Sequence, residues 1–344
     1  MCRIMFSKLK DIMRRSDLLL IVLSLVASAL LFSHYGVQGQ AAEVELPEVK
    51  AAPAPEAEAP SAPQDRVKAG APVRFLMYNV HDYFVEKDKQ RSRFSRRIKR
   101  IDEREAVAAV IAKVQPEIVG LVEIGGPAAL DDLANRLAAH GLLYPHRKVL
   151  TRWGEDRALG ILSRHPIVAD HSVADCSLVG QTNRRMLRGI LDVTVQVADK
   201  RQFRILGAHL KSRVSEDPAA AEALRAREAR TLAAHVDQAL RKQPHIPMLI
   251  YGDWNDGPAS PALKALTRSN SAATSLRRLT PKDDNGEEWT LYYKDGNEYN
   301  TFDQIYVNSV LGKRMGRKSK MGVVTPPDRQ RPPSDHRAVW CEIQ

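Results

Sequence analysis

Apolar residues in this chain fall into two alternating patterns. Short, nearly continuous apolar runs occupy residues 73–80, 118–122, 158–162, 190–197, 203–208, 248–251 and 301–307. Runs of that length bounded by polar and turn residues read as strands. Between them, apolar residues recur every three or four positions. Val107, Val110 and Ile111 do so within 104–113, and 130–139 repeats the pattern. Asp217-Pro218 opens a third helix, with a side chain that caps the first N–H groups and a proline where no donor is needed. Leu224, Leu232, Val236 and Leu240 then share one face. The pattern predicts a domain of mixed α and β, and by itself no more than that.

The first 72 residues break this rhythm. Lys8, Lys10, Arg14 and Arg15 precede the run 18–32, which is apolar except for Ser24 and Ser28. That run is short for a membrane span of roughly 20 residues and fits the core of a signal sequence. Residues 1–40 are therefore expected to be a signal peptide or a retained signal anchor. Either form exports the rest of the chain, to a periplasmic or extracellular location, and the retained form anchors it to a membrane through 18–32. Residues 41–72 are rich in Ala, Pro and Glu, and are expected to be a disordered tether that buries too little apolar area to fold. Residues 73–344 are long enough for one large domain with a sizeable core. Cys2 lies in the presequence. Cys176 and Cys341 remain, and the sequence leaves both a bridge and two free thiols open.

Candidate chemistry sits where the apolar runs end. Asn79, Glu123, His209 and Asp253 with Asn255 each close one run, and Ser334-Asp335-His336 precedes a further strand-like stretch at 338–343. Taken singly, each has a plain structural reading. Asn79, Asp253 and Asn255 suit turns. Glu123 before Gly125-Gly126-Pro127 suits a solvated loop, and His209 suits a satisfied core histidine. Taken together, these polar residues at the mouths of five runs read as one assembled site. Glu123 and Asp335 are hard oxygen ligands, and no cysteine accompanies them, which argues against thiolate-bound zinc. Carboxylates and amides suit Mg²⁺, with Mn²⁺ the other candidate.

These motifs, with Gly160-Ile161-Leu162-Ser163-Arg164, Gly252-Asp253-Trp254-Asn255 and Thr301-Phe302-Asp303-Gln304-Ile305 in the same order, resemble the endonuclease/exonuclease/phosphatase superfamily, the DNase I-like fold. The resemblance runs from about residue 73 to 344. It implies an α+β fold, two packed β-sheets flanked by helices in a four-layer sandwich, and metal-dependent phosphoester hydrolysis. It also implies roles: Glu123 as main metal carboxylate, with Asn79 beside it and Asp335 as a further ligand. His336, oriented by Asp303, would polarise the attacking water or contact phosphate. Asp253 would orient or deprotonate water, and Asn255 would hold a phosphoryl oxygen. His209 matches the second histidine of the DNase and sphingomyelinase branches, with Glu155 or Asp156 the nearby carboxylates that could orient it.

Members of the family cut DNA, RNA, abasic sites, sphingomyelin and phosphoinositides, so the fold alone does not name the substrate. Charge changes that picture. Residues 73–344 carry 44 Lys/Arg against 33 Asp/Glu, a formal +11. A positive domain favours a polyanion. The basic groups cluster at Arg91, Arg93, Arg96, Arg97, Lys99 and Arg100, at Arg184, Arg185 and Arg188, at Lys211 and Arg213, and at Lys313, Arg314, Arg317, Lys318 and Lys320. Arg97, Arg185 and Lys211 are the expected phosphate contacts. The expectation is an exported nuclease with nucleic acid as substrate. Two alternatives stand beside it. One is a lipid or small-molecule phosphoesterase, with Trp289, Leu291, Tyr292 and Tyr293 as a membrane-entering tip. The other is a tethered binding protein on an inactive scaffold.

Overall fold

In chain order the strands are β1 (Val73–Tyr83), β2 (Ile118–Ile124), β3 (His146–Arg152), β4 (Glu155–Ser163), β5 (Ile167–Asp170), β6 (Ser177–Leu178), β7 (Gln181–Arg185), β8 (Leu191–Gln196), β9 (Gln202–His209), β10 (Met248–Asp253), β11 (Leu276–Arg278), β12 (Leu291–Tyr293), β13 (Glu298–Asn300), β14 (Asp303–Asn308), β15 (Met321–Val323) and β16 (Val339–Ile343). The α-helices are α1 (Ile101–Val114), α2 (Pro127–Ala139), α3 (Pro218–Lys242), α4 (Pro261–Thr267) and α5 (Ser309–Met315). This computed structural model describes residues 70–91, 97–197, 200–267, 275–316, 319–326 and 332–344. The expected signal segment and nearly all of the expected tether lie outside the described residues, as do Cys2, Arg93, Arg96, Arg317 and Lys318.

Two six-stranded mixed sheets form the centre. One runs β15-β16-β1-β2-β4-β3 and the other β11-β14-β10-β9-β8-β5. Strand alternation explains the layers, because successive side chains point to opposite faces. Phe75 and Met77 of β1 join Leu249, Tyr251 and Ile305 of the other sheet in one core between the sheets. Leu76 and Tyr78 face the other way and pack with Val107 and Ile111 of α1 and Leu133 and Leu137 of α2. On the far side, Leu206 and Ile250 pack with Leu232 and Val236 of α3 and Leu263 of α4. The result is the expected four-layer α+β sandwich. The Asp217 cap also forms, its carboxylate accepting from the Ala220 N–H at 2.9 Å.

The sheets approach closely at Tyr251. Its ring lies where a Cβ on Gly120 or on Gly207 would come within 2.6 Å of it, so a side chain at either position would have to displace the ring. The Tyr251 hydroxyl donates to the Gly160 carbonyl at 2.8 Å, which satisfies the one polar atom of a ring buried between two sheets. Cys176 and Cys341 are both free thiols, so of the two open readings the structure has the unbridged one.

Candidate active site

Strand register builds the site. β9 and β10 are parallel, β10 and β14 antiparallel, and Asp253 pairs with His209 on one side and Asp303 on the other. Three adjacent strand ends therefore place three functional side chains on one rung. The other sheet supplies Asn79 from β1 and Glu123 from the parallel β2. The loop before β16 supplies His336.

His336 is pinned on several sides. Its Nδ1 lies 2.7 Å from Asp303 Oδ2, and its backbone N–H donates to Ser334 Oγ at 3.1 Å. Ser334 Oγ in turn donates to the Asn79 carbonyl at 2.7 Å, tying the loop to β1. Asp303 is held as well: Thr290 Oγ1 accepts from its N–H at 3.0 Å, and the Thr290 carbonyl accepts from the Arg337 N–H. Thr290 thus braces Asp303 directly and His336 through its chain neighbour Arg337. Burial opposes a charge on His336, but Asp303, Asp335 and Asp253 outweigh it and hold the imidazole well above the usual histidine value.

Asp253 lies at the centre. Its Oδ2 accepts from Asn79 Nδ2 at 3.0 Å and faces His209 Nε2 at 3.5 Å and His336 Nε2 at 3.9 Å. Its Oδ1 accepts from the Asn255 N–H at 2.9 Å. Asn255 adopts a left-handed backbone, φ 50°, and its side-chain amide donates to the Leu210 carbonyl. Burial pushes Asp253 up to about 7; positive His336 works against this, while Asp303 and Glu123 add to it. Burial likewise raises Glu123, against the pull of Arg157. His209 is held well below the usual value by burial, then by the positive charges of Arg188, Arg157 and His336, so it is the neutral imidazole that can ligate.

Glu123, His209 and Asp253 each offer a ligand atom within 4.8 Å of the others, and Asp253, Asp303 and His336 form a second such set. Hard oxygens and neutral imidazole are a donor set for a divalent cation. Two buried carboxylates pushed upward call for positive charge between them, and Asp303 Oδ1 is buried without a hydrogen-bond partner. The residues fit a divalent-metal site.

Other expected residues lie at the edge of this cluster or away from it, Asp335 Oδ1 being 4.0 Å from His336 Nε2. Asp335 stands at the rim, outside both ligand sets. Its carboxylate is 2.5 Å from His81 Nδ1, and its side chain is 45% exposed. Neither expected partner bonds the ring of His209: its Nδ1 is buried without a hydrogen-bond partner, and Glu155 pairs with Arg188 at 3.3 Å. Arg97 pairs with Glu103, and Arg185 turns onto the Thr182 carbonyl of its own hairpin. Lys211 lies two residues beyond His209 and donates to the Val214 carbonyl, with its N–H held by buried Glu228. Lys99, read from sequence as part of a basic face, is buried and donates to the His81 carbonyl. Residues that sequence reading missed include Arg157, Asp82 and Thr290. Asp82 lies three positions after Asn79, but nothing local marks Arg157 or Thr290.

The raised carboxylates set the pH dependence of stability. Between the unfolded carboxyl value of about 4 and the folded Asp253 value of about 7, the folded state binds more protons than the unfolded state, so stability falls as pH rises. His336 acts in the same sense: its contribution is complete below the ordinary histidine value and is lost as pH rises through the raised one. The melting temperature in chelator is expected to fall from about pH 6.5 to pH 8, above the range in which His209, with its depressed value, acts in the opposite sense. A divalent cation should flatten that slope, because it binds the ionised carboxylates. A melting temperature that rises across this window in chelator would contradict the assignment.

Buried carboxylates and histidines gathered at the strand ends of a two-sheet sandwich define a metal-dependent phosphoester hydrolase. Residues 79–327 match the Endonuclease/Exonuclease/phosphatase family, and the chain belongs to that family. No curated protein matches the sequence. Solved structures with the same fold include the human Nocturnin catalytic domain with bound sulfate, at 16% identity and TM-score 0.57 over 79% of this chain and 94% of that one. D. rerio TDP2 with a single-strand DNA product matches at 14% and 0.55 over 80% and 99%. A mutant of Staphylococcus aureus beta toxin with bound magnesium ions matches at 13% and 0.56 over 80% and 100%.

Proposed function

We propose that the protein is an exported phosphodiesterase that hydrolyses nucleic acid, with Mg²⁺ as its metal and Mn²⁺ as a substitute. The observation that carries the substrate is the β12–β13 hairpin. An isolated bridge between Leu291 and His336 ties this hairpin to the site. Trp289, Tyr292 and Tyr299 form one aromatic cluster, with ring centroids 5.0 and 4.8 Å apart, and Tyr299 is 60% exposed. The turn between the strands is Lys294-Asp295-Gly296-Asn297, which is polar and charged. A membrane wedge needs an apolar tip, whereas exposed aromatic flanks suit stacked bases. The +11 formal charge of residues 73–344 supports the same substrate, as does the TDP2 structure, which holds a single-strand DNA product on the same fold.

In this reading Glu123, Asp253 and His209 would hold the metal, with Asn79 beside them. Bound there, the metal would neutralise phosphate charge and stabilise the leaving oxygen. Asp303 fixes the His336 ring through Nδ1 and turns Nε2 toward the reacting phosphate. Asp253 orients the attacking water and takes its proton. Asn79 donates to Asp253 and keeps that carboxylate in place. Asn255 holds a phosphoryl oxygen after its amide leaves the Leu210 carbonyl, and Asp335 closes the rim through His81. Export rests on residues 1–40, as does membrane attachment if the segment is retained. No helix among the described residues is long and apolar enough to cross a membrane.

The full-length protein with Mg²⁺ should cleave a labelled single-stranded oligonucleotide and leave sphingomyelin vesicles intact. Tyr299→Ala should raise KM for the oligonucleotide about tenfold, since one stacked base contributes roughly 1–3 kcal/mol. Hydrolysis of bis(p-nitrophenyl) phosphate, which spans no hairpin, should be unchanged. Vesicle turnover without cleavage of the oligonucleotide would overturn the nuclease reading in favour of the lipid one.

A further inference from the structure

Arg157 of β4 reaches into the wall of the site from a strand whose own residues carry none of the proposed chemistry. Its guanidinium lies between two carboxylates. Nε is 2.6 Å from Asp82 Oδ1 and 3.2 Å from Glu123 Oε2, and Nη2 is 3.1 Å from Asp82 Oδ2. The Asp82 N–H donates to the same Glu123 Oε2 at 3.1 Å. Oε2 is therefore engaged twice by the protein, while Oε1 is the oxygen that faces His209 Nε2 at 3.9 Å.

The backbone is bent to make this arrangement. His81, Asp82 and Glu123 are non-glycine residues with left-handed φ values of 45°, 49° and 64°. The pairing of β1 with β2 slips between Asn79 and Tyr83. That irregularity is what carries the Asp82 N–H round to Glu123. Strained residues of this kind persist where surrounding contacts over-determine them, and they gather at functional sites.

Charge shows why Asp82 accompanies Arg157. A lone guanidinium beside Glu123 would grip the carboxylate and also repel a divalent cation. Paired with Asp82 through two nitrogens, it leaves the trio with a net charge of −1. A bidentate guanidinium can do this with fixed geometry; an ammonium cannot.

We propose that Arg157 and Asp82 form a positioning pair that holds Glu123 by one carboxylate oxygen and presents the other to the metal, so that the pair sets metal affinity and not the chemical step. This rests on the divalent-metal reading of the site. Outer partners of metal ligands typically change affinity by roughly 10–100-fold when removed.

The test is calorimetric titration of full-length protein with Mn²⁺, alongside the metal dependence of the rate and a melting curve for each variant. Arg157→Ala should weaken Mn²⁺ binding at least about tenfold, with kcat at saturating metal within about threefold of wild type. Arg157→Lys should recover part of the affinity. Asp82→Asn keeps the size of the side chain and uncovers the Arg157 charge, so it should weaken binding at least as much as Arg157→Ala. Removing both groups should then cost less than the two single losses combined. Unchanged Mn²⁺ affinity in a folded Arg157→Ala or Asp82→Asn protein would overturn the positioning pair. Failure of the wild type to bind Mn²⁺ would instead overturn the metal site on which the pair depends.

Discussion

His336→Ala is expected to lower kcat on a phosphodiester by about three orders of magnitude while leaving metal affinity close to wild type. Positioned acid–base groups typically contribute roughly 10²–10⁴-fold. His336 falls well inside that range because its geometry is fixed from several directions. Asp303 holds Nδ1, Ser334 holds the backbone N–H, and Leu291 bridges it from the hairpin. The imidazole carries no independent role in the Glu123–His209–Asp253 ligand set. Asp303→Asn should cost less, about 10–100-fold, since an amide can still accept from Nδ1–H but no longer supplies the charge that holds the ring protonated. Steady-state kinetics on both variants at saturating Mg²⁺ check this order. An Asp303→Asn effect larger than that of His336→Ala would mean that Asp303 acts directly on the substrate.

Asp253→Asn is expected to lose activity at least as fully, and excess metal should not restore it. Asp253 belongs to both ligand sets and touches Asn79, His209 and His336, so one substitution removes a metal oxygen and the proton acceptor together. Glu123→Gln separates the two effects. It removes one ligand charge and leaves the acceptor, so part of its rate should return at high metal. Stability should move the other way. Asp253 is a buried carboxylate whose ionised form is costly, and its amide removes that cost. In chelator at pH 8 the Asp253→Asn protein should melt above wild type, with a flatter pH dependence. A functional group that costs stability and contributes activity is the usual trade-off at an active site. Melting below wild type at pH 8 would place Asp253 in a structural role.

Much of this was legible in the sequence because the site residues sit at strand ends. Apolar runs marked β1, β2, β4, β8, β9, β10 and β14 to within a few residues. The polar residues closing β1, β2, β9 and β10 are ones that the structure gathers, Asn79, Glu123, His209 and Asp253, joined by Asp303 at the start of β14 and His336 from the loop before β16. What was not legible has two physical sources. β3, with His146, Arg147, Lys148 and Arg152, is an edge strand whose burial is partial, so its apolar alternation is weak. β5, β11 and β15 are short edge strands of three or four residues. The second source is partnership across the fold. Arg157, Asp82 and Thr290 act through groups far along the chain, and local spacing carries no trace of that. The same limit explains the phosphate contacts expected at Arg97 and Arg185. A basic run shows charge, but not that Glu103 or a hairpin carbonyl already holds it.

The most direct measurement is hydrolysis of a labelled single-stranded oligonucleotide by the full-length protein, first in chelator and then with Mg²⁺ restored, with Asp253→Asn run in parallel. The expected result is no cleavage in chelator, recovery with Mg²⁺ in the wild type, and no recovery in Asp253→Asn. Cleavage that persists in chelator, or an Asp253→Asn protein as active as wild type, would contradict a metal-dependent hydrolase centred on these residues.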